Sequence, residues 1–558
     1  VAAEQASAPV HFVPDAQAAD VIYTRGVILP MTAPGEVAEA IAIGRGKVLL
    51  VGSQQAVMSA HRGKRTNVVD LAGKAVVPGF IAGRGNLAWT ALSAKMLSVA
   101  PPPVGSVQTI AGVLDVLRKA PATGPFGEWI VATGYDASLV LEKRHLTRDD
   151  LDQISFDRPM VVIDERSQVA SCSSACLRAM GWDRKSKDPL GGGLRRLAHS
   201  KEPTGILEDG AYAKLLEKMP QISEADALAA LESTQARYLA RGVTTVHDRV
   251  ERTQELALLQ RAARGNALHV DVVVTPAYSL LDQVLVEFPN VPTDYYAARL
   301  RRGGVLLSFD GAAQYRAAWL SQPYSTLPDG ALAGFRGKGR IDNAELSKVL
   351  ERAKRESLQV FGQCNGDQAC EQFLKASERV LAGDKADRRW VMLNAQTIRE
   401  DQLDRMKLLS LVPSFSSSQL YYWSDAAREA ALGPERSENL EPAQWAVERG
   451  LRFSIHDESP SVPTDPFVLL WAATNRVTRD DNLLGGDQRI TTYNALTALT
   501  ADAAYQSFEE RDKGTLEPGK RADLVILAQN PLTEPLSSLK SIDVVETIKD
   551  GQSVWAAR

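Results

Sequence analysis

The segment "GVTTVHD" closes on His247 and Asp248, an imidazole beside a carboxylate, the pairing that general acid and base chemistry uses. A second pairing stands in "FSIHDESP", where His456 and Glu458 are two residues apart and share a face if the segment is extended. Asp310 in "SFDG" and Asp164 in "VVIDERSQ" add carboxylates, and two carboxylates held together drive one pKa upward into a useful range. Cys364 in "FGQCNGD" is a nucleophile candidate if a nearby cation lowers its pKa. The structural alternatives are as concrete. A histidine at a strand end is commonly satisfied by a neighbouring carboxylate or carbonyl, which is the preferred reading of His247 although it stays a catalytic candidate. Cys364 would point away from any site that the neighbouring Gln363 faces if the segment is extended.

These residues sit in a chain with a clear rhythm. From Ala19, "ADVIYTRGVILPM", "EVAEAIAIGRGKVLLVG" and "TNVVDLAGKAVVPGF" are short apolar runs broken by glycine, as strands joined by tight turns are. The last segment, "GTLEPGKRADLVILAQNP" and "VVETIKDGQSVWAA", has the same style, so the two ends are expected to pair into one small β-sandwich. Between them, helical patterns such as "SEADALAALESTQARYLARG" lead into β-branched runs such as "VTTVHD". Repeated along the chain, this alternation predicts an α/β fold, a (β/α)8 TIM-like barrel. The expected boundaries are residues 19–78 for the first part of the sandwich, 79–505 for the barrel with an insertion at about 101–222 after its first strand, and 506–558 for the second part.

Composition narrows the partners. The 558 residues are 44% hydrophobic and 24% charged with a formal net charge of -4, and no run of lysine and arginine suggests nucleic acid or an anionic membrane surface. No stretch has the length of apolar sequence a membrane helix needs. The expected partner is a small-molecule substrate, without nucleic acid or membrane, and a homodimer is left open. The Ala-rich opening "VAAEQASAPVHFVPDAQAAD" resembles the mature end left by signal-peptide cleavage, so a periplasmic or secreted location is expected, with a trimmed cytoplasmic chain as the alternative. Cys172, Cys176, Cys364 and Cys370 are too few for a disulfide scaffold and lack zinc-site spacing, and buried free thiols are the leading reading. "DPLGGGL" lacks the context of a phosphate loop and reads as a turn.

The motifs "VVPGFI", "RPMVVID", "EPTGILED", "GVTTVHD", "SFDGAAQYR", "NGDQA", "NAQ", "SPSVPTDP", "TADAAY" and "LEPGKRADLVIL" occur in an order and spacing similar to the amidohydrolase superfamily, in the branch of N-substituted formamide deformylase-like hydrolases. The resemblance implies a barrel with a split sandwich and one or two divalent metals at the carboxyl ends of the strands. It also implies ligands at six places: a His-x-His on the first strand, a lysine or glutamate on the fourth, histidines on the fifth and sixth and an aspartate on the eighth. By motif these fall on Arg84 and Asn86, Leu306, Gln363, Asn394 and Glu458, and none keeps the family's residue. Asp164, Gln168 and Gln419 stand where the branch places substrate-side groups.

Zinc is held by thiolate, imidazole and carboxylate, so this set predicts no metal and no cofactor. The resemblance places Arg84 and Glu458 on neighbouring strands, where Arg84 could hold a carboxylate or oxyanion in place of the metal and Glu458 could serve as base or nucleophile. The catalytic candidates are Glu458, Arg84, Asp310 and His247, and the substrate-binding candidates are Asn86, Asp164, Gln168, Gln363, Asn394 and His456. Tyr421, Tyr422 and Trp423 hint at an aromatic or apolar substrate portion, with core packing as the alternative. The resulting function is metal-independent hydrolysis of a non-peptide C–N bond. The alternatives are an inactive pseudoenzyme or small-molecule binding protein, and a metal-free lyase or isomerase.

Overall fold

Gly83 precedes the first candidate residue for a steric reason. A Cβ there would stand 2.8 Å from the Ser454 hydroxyl, so only glycine lets the strand carrying Arg84 lie against the strand leading to Glu458. The computed structural model describes residues 12–557 apart from 103, 165–168, 190–191, 289–295 and 329–330, so Gln168 lies outside the described residues.

Eight parallel positions build the α/β, TIM-like body: β1 (Phe80–Gly85), β2 (Val243–Val250), β3 (Asp271–Pro276), β4 (Val305–Ser308), β5 (Val360–Cys364), β6 (Val391–Asn394), β7 (Val412–Phe415) and β8 (Ser454–Ile455). β1, β2 and β3 pair in parallel, and Leu300–Arg302, which leads into β4, continues that sheet. β4 to β8 form a second parallel run in chain order. The two runs touch at an Ala277–Leu306 bridge.

Local sequence explains these elements. The helix Glu224–Leu239 starts at Ser223, whose side chain accepts from the Asp226 N–H, and buries Ala227, Ala230, Leu231, Thr234 and Tyr238 on one face. Gly242 then turns the chain into β2 with φ of 78°, a left-handed conformation that an L side chain rarely adopts.

Strands from both chain ends share one hydrogen-bonded sheet. Ala75–Pro78 pairs antiparallel with Leu524–Leu527, and Val21–Ile28 pairs with Ala38–Gly44, Asn67–Asp70 and Ala75–Pro78, which makes it a branch point. Ile28, Ile41, Val76, Leu524 and Ile548 fill the core between its parts. Beneath β2 and β3, Asp271 takes Lys513 at 2.6 Å and Lys549 at 2.9 Å, a buried charge cluster that ties the C-terminal strands to the body.

Between β1 and β2 the chain builds a six-stranded sheet from Leu97–Ser98 to Pro203–Glu208, with its own cluster of Val113, Leu117, Ile130 and Val162. Cys172 ends one of its strands and Cys176 lies in the first turn of the following helix, which brings their Cα atoms to 5.5 Å in a disulfide. The free-thiol expectation is therefore corrected for this pair. Cys364 and Cys370 are free and buried. No helix among the described residues is long and apolar enough to cross a membrane.

Candidate active site

At the carboxyl ends of the strands, Arg84, Asn86, Asp310, Gln363, Asn394 and Glu458 converge on a cavity of about 60 Å³. Arg84 Nη1 lies 2.8 Å from Glu458 Oε2 and also donates to the Asp457 carbonyl at 3.3 Å. Gln419 Nε2 donates to the other Glu458 oxygen at 3.1 Å, so both carboxylate oxygens are oriented. Burial lowers the Arg84 pKa while Glu458 opposes that, and the guanidinium, with its very high intrinsic pKa, stays a cation.

Two further guanidiniums line the cavity. Arg249 reaches Glu251 at 3.4 Å and Gln363 Oε1 at 3.5 Å, and against the lowering effect of burial, Glu251 and Glu458 hold its pKa above the ordinary value. Arg340 donates to the Ser308 hydroxyl at 3.3 Å. Neither residue was singled out from the sequence. Arg249 had a signal, because it stands two past His247 on the inward face of the same strand; Arg340 comes from an irregular connection with no periodicity.

His456 lies beneath the cavity. Its Nε2 donates to Asn394 Oδ1 at 3.2 Å and its Nδ1 accepts from Ser414 Oγ at 2.8 Å, while Asn394 Nδ2 continues to Asn365 Oδ1 at 3.0 Å. Burial, with Arg84 second, pushes the His456 pKa down to about 3, so it is a neutral prop for Asn394. Asn394 has φ of 68°, a left-handed position that asparagine tolerates better than most residues.

Other expected site residues lie elsewhere or do other work. His247 is mid-strand rather than at the rim, because β2 continues three residues past it, and it meets Ser507 Oγ at 3.1 Å and Glu509 at 3.6 Å. Asp164 belongs to the inserted sheet, where it accepts the Ala137 N–H at 3.2 Å and faces His145 at 3.7 Å. Asp310 lines the cavity, but its carboxylate accepts the N–H groups of Trp319, Asn365 and Gly366 at 2.7–2.8 Å, which makes it a clamp on two loops. Its pKa is raised to about 6 by burial and not by a second carboxylate, with those donors opposing. Leu306 packs with Phe361, Val391 and Leu393. Burial raises the Cys364 thiol well above its ordinary value, with Cys370 adding to the effect.

A divalent metal does not suit this donor set. Asparagine and glutamine carbonyls are weak ligands, leucine and arginine are not ligands, and the Arg84 cation occupies the contact with the one ligand-position carboxylate. Among the described residues, no three His, Cys, Asp or Glu side chains are grouped so as to hold a metal ion.

A TIM-like α/β body whose polar cavity opens at the carboxyl ends of its strands defines the class of barrel-type enzymes. The chain belongs to the amidohydrolase family, whose model matches residues 67–555. It is 26% identical to the N-substituted formamide deformylase of Arthrobacter pascens, over 96% of this chain and 98% of that protein. Two solved structures, both described as uncharacterized metal-dependent hydrolases, are similar throughout. The one from Pyrococcus furiosus has a TM-score of 0.70 at 26% identity and covers 92% of this chain and 100% of its own. The one from Pyrococcus horikoshii has 0.72 at 24%, covering 93% and 99%.

Proposed function

We propose that this chain is a metal-independent hydrolase that cleaves a non-peptide C–N bond of a small organic substrate in the cavity between Arg84 and Glu458. The observation that carries the reading is their buried contact at the position where the family's ligands converge. Glu458 takes a proton from water, the hydroxide adds to the amide carbon, and the negative charge that develops on the carbonyl oxygen is met by the Arg84 guanidinium. The proton passes to the amide nitrogen as the C–N bond breaks, giving a carboxylic acid and an amine, and the acid then gives its proton to the amine, leaving a carboxylate and an ammonium. Gln419 holds the second Glu458 oxygen, which fixes the carboxylate orientation. No step runs through a metal.

The family membership and the deformylase relative support C–N hydrolysis, while the replaced ligands support a route different from that of the metal-dependent neighbours. The Cys172–Cys176 disulfide supports an oxidising, exported location. The test is a panel of N-substituted amides and formamides with and without chelator. Turnover that survives chelation and is lost in Glu458→Gln is expected. Turnover lost with chelator, or unchanged in Glu458→Gln, overturns the reading.

A further inference from the structure

Beside the polar cavity lies a second one of about 270 Å³, and the two abut along Pro460 and Ser461. Its walls include Met96, Ala100, Pro102 and Leu139 from the region between β1 and β2, with Tyr422 and Trp423 opposite. An apolar cavity of about 150 Å³ suffices for benzene. The 60 Å³ cavity therefore takes a head group of a few atoms and no ring, whereas the neighbouring cavity takes a ring.

Three guanidiniums, those of Arg84, Arg249 and Arg340, line the head cavity. Arg84 is 6% exposed, and among the described residues its Nε has no hydrogen-bond partner; the same holds for Arg249 Nε. Two buried cationic N–H groups on side chains that line one small cavity are costly unless an acceptor reaches them. A carboxylate is the small group whose planar, two-oxygen shape matches guanidinium donors.

We propose that the two cavities form one binding site for monocarboxylates with an aromatic or branched apolar body. The carboxylate lies against Arg84 and Arg249, and the body crosses Pro460 into the pocket under Leu139 and Trp423. The inference rests on the reading of this cavity as the reacting site, and it extends that reading: the carboxylate formed by amide cleavage is itself the ligand that the guanidiniums retain.

The experiment is calorimetric titration of the full chain with benzoate, phenylacetate, 3-phenylpropionate, 3-phenylpropionamide and propionate, in wild type, Arg249→Gln and Leu139→Trp. At least one aryl carboxylate should bind, and 3-phenylpropionamide and propionate should bind roughly tenfold more weakly than 3-phenylpropionate or not at all. Arg249→Gln should abolish the preference for acid over amide, and Leu139→Trp should abolish the preference for phenylpropionate over propionate. If Arg249→Gln fails to fold, Arg340→Gln at the exposed rim is expected to weaken the same acid preference. Equal binding of acid and amide, no binding of any aryl carboxylate, or preferences unchanged in the variants overturns the proposal. The two readings separate cleanly: loss of these preferences leaves Glu458-dependent turnover standing, and absent turnover leaves the binding preferences standing.

Discussion

Arg84 and Glu458, 374 residues apart in the chain, meet at 2.8 Å with side chains only 7% and 10% exposed. Such a pair has an asymmetric energetics. Removing one partner leaves a buried, uncompensated charge, at a cost of about 3–5 kcal/mol, whereas replacing both with apolar residues of similar volume is often neutral or stabilising. Urea unfolding of Arg84→Met, Glu458→Leu and the double variant should show two destabilised singles and a double close to wild type. Additive losses would mean that the two side chains do not compensate each other.

Metal content is a separate expectation. With Asn86, Gln363 and Asn394 in place of nitrogen and oxygen ligands of useful strength, purified protein equilibrated with zinc should retain none in stoichiometric amount at this cavity. Elemental analysis after gel filtration checks this. One zinc per chain that is lost in Glu458→Gln would refute it, and restoring a site should need several substitutions together.

Much of the site could be read from sequence because its residues lie on strands, as Arg84, Gln363 and Asn394 do, or within a few residues of a strand's end, as Asn86, Asp310 and Glu458 do. Arg84, Glu458, Gln363 and Asn394 follow from the family resemblance, carried over motif by motif onto the ligand positions. His247 was misplaced in depth, since a strand pattern gives the face of a residue but not how far the strand runs beyond it. Asp310 reads as a catalytic carboxylate until its three backbone N–H donors are seen, from Trp319, Asn365 and Gly366, because the sequence does not show that these loops fold onto it. The Cys172–Cys176 bridge was hidden because its spacing is favourable only where a strand ends directly before a helix.

That bridge makes a simple count decisive. Alkylation of the unfolded chain without reductant should label two cysteines, Cys364 and Cys370, and four after reduction. Four labelled without reductant would show a reduced pair in the purified protein.

The pH dependence of stability contains opposing contributions. His456 has a folded pKa pushed down to about 3 from 6.5, so its contribution is fully present above pH 6.5 and is lost as pH falls towards 3. Asp457, raised by burial to about 6, acts in reverse: its folded state favours the proton, and stability falls as pH rises from about 4 to 6. The difference between wild type and His456→Gln isolates the histidine. Denaturant midpoints at pH 7.5, 6, 5 and 4 should show the wild type losing ground to the variant as pH falls. A constant difference across that range would mean that His456 has the same pKa folded and unfolded, and a wild type that gains on the variant as pH falls would mean that it is protonated in the folded state.

The C-terminal strands should prove inseparable from the body. Deleting residues Gly514–Arg558 strips Leu524–Leu527 from Ala75–Pro78, a strand whose four residues are all buried, and an uncovered apolar edge is an aggregation site. The deletion also removes Lys549, which is fully buried and held by Asp271 at 2.9 Å and Asp523 at 2.8 Å. Insoluble protein is the expected outcome, but a large deletion can fail for many reasons, so Lys549→Met supplies the sharper arm. It keeps the strand and nearly the same side-chain length, and leaves Asp523 without its ammonium partner while Asp271 retains Lys513 at 2.6 Å. Breaking a buried pair in this way costs about 3–5 kcal/mol, and replacing Lys549 and Asp523 together should recover part of the loss. A soluble, monodisperse deletion together with an unperturbed Lys549→Met would show that the end strands are an independent unit and that the charge cluster does not tie them to the strands around the cavity.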